Sequence, residues 1–405
     1  MVQKLASLVF ASTLILMGSA HADPGISDTQ IVIGGTYPLS GPASFVSAVA
    51  HGSEAYFKYI NSQGGVQMAD GKKRKIEFKT YDDGYQTARA MGNVQRLVLQ
   101  DNIFLNFSNG GTPLNLAIRP FLNENKVPQL FVFAPVATFG SDYAKYPWSI
   151  GWYLTYNTEA EIYVDVLRRE HPHARVAILA VSSDAGREFV NAFEAALKGT
   201  DIKVVAKRTF DVTAASVEAD VVELSHSDAD VFVNVSTGRS AAQAVRKSGE
   251  IGWKPLRIIW SQGSSIAAVL QPAGIENAEG SYTLAFLKDP SDPRWANDSE
   301  IELYKKIIRQ YGPNPTNPDD TFVLQGVAQA ATLEAVLKRA NPTRESVMKQ
   351  VRNIPPTEVM GLLPGIHIQT GGVNQEPIRS GQLMQLVNGR WNSVGNLITI
   401  KAESK

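Results

Sequence analysis

The residue types that usually carry enzyme chemistry are few in this chain and poorly spaced for it. Six histidines occur. His21 lies in the N-terminal leader, His171 and His173 flank Pro172, and His51, His226 and His367 are isolated. None stands in an HExxH run or another spacing that sets two imidazoles on one metal, so His171 and His173 read as an exposed loop. The chain has no cysteine, which removes thiolate nucleophiles and disulfides together. No GxSxG elbow is present. The turn at Gly34-Gly35 lacks both the GxGxxG dinucleotide pattern and the P-loop lysine. Asp82 and Asp83 are adjacent at a strand end, where side chains diverge, and Asp83 suits a cap for the helix that follows. The pattern points away from an enzyme and requires no cofactor or metal.

Four loops have the residue types needed to hold a small molecule. Ser40 to Phe45 is the first, and Ser108-Asn109-Gly110-Gly111-Thr112-Pro113 is the second. In the second, Thr112 suits a helix N-cap and Pro113 the first helical position. Gly110 and Gly111 allow close backbone approach, and a helix N-terminus favours an anion. Ala134 to Phe139 is the third loop, with Val136, Thr138 and an aromatic. Ser261-Gln262-Gly263-Ser264 is the fourth.

These loops need strands to feed them. Gln30–Gly34, Ile76–Tyr81, Ile103–Phe107 and Pro128–Phe133 are short apolar or alternating runs, separated by helix-period segments around Ala55–Ile60, Met91–Val98 and Pro113–Glu124. The rhythm resumes with strands at Arg175–Val181, Ile202–Phe210, Asp230–Val235 and Leu256–Trp260. Helices at Glu188–Leu197, Ala215–Ser225 and Arg239–Ser248 lie between them. Such alternation predicts βαβ units and mostly parallel sheets covered by helices, an α/β fold. Three helices follow over Glu300–Tyr311, Phe322–Ala340 and Arg344–Val351, then a tail from Gly361 that alternates like short strands. A chain of 405 residues exceeds the roughly 250–300 at which single cores stop growing, so two lobes are expected.

The leader predicts export. Lys4, an uncharged apolar stretch from Leu5 to Gly18 and Ala20-His21-Ala22 form a signal peptide cleaved after Ala22, too short to span a bilayer. A periplasm is the simplest destination. Basic and acidic residues number 39 each, so losing Lys4 leaves 38 against 39, which argues against a nucleic-acid partner. Lys72-Lys73-Arg74-Lys75 is read as a solvated hairpin tip.

From Ile31 to Trp391 the chain resembles the type I periplasmic binding proteins of the branched-chain amino-acid (leucine/isoleucine/valine) class that serve ABC importers. The resemblance rests on the order of IVIGGTYPLSGPAS, Gly64-Gly65-Val66, KTYDDGYQTARA, KVPQLFVFAPVAT, Ala278-Glu279-Gly280 and Val359-Met360-Gly361. It implies two Rossmann-like lobes with a three-crossing hinge that close over a small carboxylated ligand. It also implies a monomer that docks on an inner-membrane permease, or on a receptor if the protein is a sensory module. Lobe 1 is placed at residues 28–149 and 282–356, and lobe 2 at 150–281 and 357–405. The crossings fall near Ser149–Trp152, Ala278–Tyr282 and Pro356–Gly361. The Ser108–Thr112 loop, with Asn109, Gly110, Gly111 and Thr112, and Thr138 match the family's carboxylate clamp, Val136 is a further ligand-binding candidate, and Phe45 lies near a ligand-contacting aromatic. Lobe 2 departs from the pattern. Ala185 precedes Gly186 where an aromatic is usual, Thr237 replaces another aromatic, and Gln262 replaces a glutamate that pairs with the ligand ammonium. Burying an ammonium without an ionised partner costs on the order of several kcal/mol. The ligand expected is therefore an aromatic or other acid without a free amino group, unless Asp184 supplies the charge. Trp148, Trp152, Tyr153 and Tyr156 crowd the first hinge crossing and Trp260 precedes Gln262, most of them as core and hinge packing; if Trp152, Tyr153 or Trp260 faces the cleft, stacking on a planar ligand is favoured.

Overall fold

The computed structural model describes residues 23–372 and 375–400, so the expected signal segment lies outside the described residues. Two sheets dominate. The first contains β1 (Gln30–Tyr37), β2 (Val66–Gln67), β3 (Lys73–Asp82), β4 (Leu105–Phe107), β5 (Gln129–Val132) and β6 (Ser149–Gly151), in the order β2-β3-β1-β4-β5-β6. All neighbours are parallel except the β2–β3 hairpin. The crossover helices are α1 (Ser47–Ser62), α2 (Thr87–Leu99) and α3 (Thr112–Glu124), with a single turn α4 (Thr138–Ser141). Strands such as Leu105–Phe107 and Gln129–Val132 are buried throughout, as strands covered on both faces must be.

The second lobe begins with α5 (Tyr156–Glu170), β7 (Arg175–Val181), α6 (Asp184–Ala196) and β8 (Lys203–Phe210). It continues through α7 (Glu218–Ser225), β9 (Val231–Val235), α8 (Gly238–Glu250), β10 (Leu256–Ile259), the short α9 (Gln271–Ala273) and β11 (Tyr282–Ala285). β12 (Ser380–Val387), β13 (Arg390–Ser393) and β14 (Ile398–Thr399) add antiparallel pairing at one edge. The eight-stranded sheet runs β13-β12-β11-β10-β9-β7-β8, with β14 paired to β12 off this path.

The three late helices, α10 (Ser299–Tyr311), α11 (Thr321–Leu337) and α12 (Arg344–Val351), lie on the first lobe. α11 is apolar nearly all round and packs on α1, where Gly52 faces Val323 and Gly326 faces Val49 at backbone contact. A helix buried on all sides carries no single apolar stripe, so its periodicity does not tell which lobe it joins. Arg74 corrects the solvated-tip reading of the basic run. It is 1% exposed, donates from Nη1 and Nη2 to both Asp70 oxygens and from Nε to the Ser27 carbonyl.

Three segments run between the lobes. Ser149–Gly151 still pairs in the first sheet, so the first crossing starts at Trp152 and ends where α5 begins. Tyr282–Ala285 pairs with β10 and β12 in the second sheet, so the second crossing follows Ala285 and the boundary set at residue 282 is early. That crossing is bonded to the third: Leu363 N–H donates to the Phe286 carbonyl and Lys288 N–H to that of Gly361. Trp152 and Tyr153 both pack edge-on against Phe286, with Trp152 Nε1 donating to Thr332 at 2.9 Å. Among the described residues between Gly361 and Ser380 the tail forms isolated bridges and turns, and the next regular strand begins at Ser380. Among the described residues no helix is long and apolar enough to cross a membrane.

Candidate functional site

The carboxyl ends of the central strands in both sheets face each other across the gap between the lobes, the place where open α/β sheets take ligands. The first-lobe loops are built by buried acids and amides. Asp83 accepts from Thr36 Oγ1 at 2.8 Å and from Tyr85 N–H at 2.8 Å, and burial lifts its carboxyl to about 6. This corrects its expected role: Asp83 does not cap α2 but turns the loop so that Tyr85 is held in place, at φ 62. Asp82 grips the Ser40 loop through the N–H groups of Leu39 and Ser40 and the Ser40 hydroxyl. The α3 loop is one residue out of the expected register. Gly111 occupies the N-cap position at φ 98, and Thr112 is the first helical residue. A Cβ on Gly111 would lie 2.6 Å from the Tyr85 ring, so glycine is needed for both backbone and neighbour. Thr112 is thereby freed from capping, and its hydroxyl lies 3.4 Å from that of Tyr156.

The second-lobe wall rests on Glu159 of α5, which is 2% exposed. Its carboxylate accepts from the Ser261 N–H, the Ser261 hydroxyl at 2.8 Å and the Tyr163 hydroxyl at 2.8 Å. Burial outweighs these donors and lifts its carboxyl to about 7. Through Ser261 it fixes the loop that carries Gln262. Trp260 donates from Nε1 to the Ser236 carbonyl at 2.7 Å and stacks on Tyr156 with centroids 5.4 Å apart and planes at 16°.

Between these walls lies an inner cavity of about 60 Å³, room for only a few waters. Phe45, Phe133 and Phe322 wall it from the first lobe, and Tyr156 and Trp260 from the second. Tyr85, Thr112, Ser183, Thr237 and Gln262 supply its polar edge, and among the described residues no Asp, Glu, Lys or Arg lines it. Burial pushes the Tyr85 hydroxyl up to about 12 and raises that of Tyr156 further, so both remain neutral O–H donors. The lobes meet around it: Gly238 approaches the Phe45 ring, and Ala137 N–H donates to Glu188 Oε1 at 2.8 Å.

The cavity gathers six of the ten residues picked from sequence, Phe45, Gly111, Thr112, Ala185, Thr237 and Gln262. The other four lie elsewhere. Asn109 is fully buried in a network with Thr36 N–H, Asn106 and Asn115. The Gly110 and Gly111 amides are spent on the Thr36 and Phe133 carbonyls, extending the sheet instead of facing the cleft. Val136 and Thr138 line a wider outer groove of about 1060 Å³ between α3, α4, α5 and α6. That groove is open and charged. Several of its charges are already paired, Arg119 with Asp142, Arg168 with Asp165 and Asp184 with Arg187. A small molecule there would keep much of its water, so the inner cavity is the better candidate despite its size. Asp184 faces this groove and not the cavity, so it does not replace the missing glutamate. Tyr85, Phe133, Ser183 and Phe322 were not found from sequence. Tyr85 was hidden by its unusual φ and Phe322 by its distance along the chain.

Among the described residues, no cluster of three His, Asp or Glu side chains is placed to hold a metal ion. Solved structures share the architecture. A branched-chain amino-acid ABC transporter protein from Thermus thermophilus with bound valine aligns with TM-score 0.80 at 18% identity, covering 93% of this chain and 98% of that one. A substrate-binding periplasmic protein from Ralstonia solanacearum aligns at 0.78 and 20%, covering 90% and 100%. A fatty acid ABC transporter substrate-binding protein from Thermomonospora curvata aligns at 0.76 and 16%, covering 94% and 95%. At these identities the likeness is one of fold. No curated protein matches the sequence. A family model described as periplasmic binding protein matches residues 30–390, nearly the whole chain, in agreement with the resemblance carried by its motifs, and the chain belongs to that family.

Proposed function

We propose that the protein captures a small organic carboxylate lacking a free ammonium group between its lobes and delivers it, as a monomer in the periplasm, to the permease of an ABC importer. The observation that carries this reading is the inner cavity: aromatic walls, hydroxyl and amide groups at its edge, and no charged side chain. The Tyr85 and Thr112 hydroxyls and the start of α3 supply donors and a positive dipole end for an anion. An ammonium would find no carboxylate there and would forfeit its hydration. The aromatic walls favour a ligand with a planar or extended apolar body. At about 60 Å³ the cavity is narrower than such a ligand needs, so entry requires the lobes to part about the hinge.

Among solved structures of this fold, one is titled with bound valine and another as a fatty acid transporter protein, so the scaffold alone does not choose between amino acid and plain acid. Calorimetric titration with leucine, valine, phenylacetate and hexanoate tests the choice. Binding of the plain acids with no response to the amino acids is expected. Tight amino-acid binding alone would overturn the reading.

A further inference from the structure

Behind the inner cavity, on the hinge side, lies a second chamber of about 60 Å³. The two share Gln262 and Phe322 as a common wall. The first lobe contributes Thr321 and Gln325 of α11, the second contributes Thr283 of β11, and Asp289 comes from the second crossing. The chamber is therefore complete only when the lobes are together.

Its polar groups are left wanting. Gln325 is 3% exposed, yet its Nε2 has no hydrogen-bond partner among the described residues, whereas the Thr283 hydroxyl lies within reach of that of Tyr163. Turning the Gln325 amide over merely presents its oxygen in the same place. The Asp289 carboxylate accepts from Ser291 through Oδ1, at 2.9 Å from N–H and 2.6 Å from the hydroxyl. Its Oδ2 has only a long 3.3 Å contact from Ile266 N–H. Leaving such groups dry and unpaired is costly, and evolution rarely retains several together without an occupant.

We infer that this chamber is a second ligand subsite, taking a terminal hydroxyl on the end of the molecule opposite the carboxylate held at Thr112. The inference rests on the inner cavity being the ligand site. A hydroxyl satisfies both demands, since it accepts from Gln325 Nε2 and donates to Asp289 Oδ2. An ammonium pairs with both only after the Gln325 amide is turned over, a second carboxylate opposes Asp289, and a methyl end pairs with neither.

Calorimetry with two matched pairs, phenylacetate with 4-hydroxyphenylacetate and hexanoate with 6-hydroxyhexanoate, tests this. In at least one pair the hydroxylated acid should bind roughly tenfold tighter, because the parent leaves the buried groups unpaired. Gln325→Leu and, separately, Asp289→Asn should each shrink that ratio. Equal affinities within both pairs would overturn the subsite and leave the inner cavity standing, which is the result expected if the chamber holds only water. A preference undiminished in both variants would also overturn it. No binding by any of the four acids would overturn the carboxylate reading, and the subsite with it.

Discussion

Glu188 on α6 accepts a hydrogen bond from the backbone amide of Ala137, 2.8 Å away on the opposite lobe. A titratable side chain of one lobe is thus tied to the backbone of the other. Burial, and then the nearby charges of Glu376 and Asp184, lift its carboxyl to about 7. Parting the lobes would return it to water and towards the usual carboxylate range. An acid whose pKa is raised by closure takes up a proton as the lobes close, so closure is favoured at low pH and penalised as pH rises through about 7. Ligand affinity should fall by up to about tenfold between pH 6 and 7.5. In Glu188→Gln the dependence should flatten, and titration at the two pH values checks both.

Thr112→Val removes a hydroxyl whose one hydrogen bond among the described residues is the 3.4 Å approach of Tyr156. Folding should be unaffected, with a melting temperature close to that of the parent. Affinity for plain carboxylates should drop roughly tenfold, the worth of one hydrogen bond to a charged group at about 1.5 kcal/mol. Calorimetry beside a thermal melt separates the two effects. An unchanged affinity would take Thr112 out of the site.

Gln262→Glu places an ionisable acid where the cavity has none. The variant should lose affinity for plain acids, since two carboxylates would then share one dry space. It should also gain a response to leucine or phenylalanine, whose ammonium group finds a partner. A shift in preference of about tenfold in either direction is readable by calorimetry.

Glu159 makes a separate prediction about stability. Its carboxyl, lifted to about 7 by burial, is protonated more readily in the folded protein than in the unfolded chain. The stability this supplies is present at low pH and lost as pH rises through about 7. The melting temperature should therefore fall between pH 6 and 8. Glu159→Gln should flatten that slope at little cost to the fold, because the amide oxygen can take the Oε1 place facing Ser261 N–H and Tyr163 while its N–H donates to the Ser261 hydroxyl.

The sheets were legible because their strands are short β-branched runs separated by helix-period segments, and tertiary contacts reinforced that pattern. Boundaries at polar residues were less so. α6 starts at Asp184, four residues before the expected Glu188, because the Ser183 hydroxyl caps it. Loop identity was readable in Gly111, Thr112 and Gln262, yet loop direction was not. Asn109 has a ligand-binding side chain by type, but its oxygen is taken by the Thr36 amide 73 positions away. No local pattern reports a partner at that distance. Thr138 shows the same limit, since only the packing of α4 turns it to the outer groove.

Trp260 is 2% exposed, lines the inner cavity, and is held by its bond to Ser236 and its stack on Tyr156. Five other tryptophans share the chain. A ring fixed in this way at the edge of the inner cavity is a resident optical gauge. Its emission should move to longer wavelength when water reaches it and back when a ligand seals the gap. The chain thus carries its own reporter of opening and capture, and Trp260→Phe should silence it without adding or removing a charge.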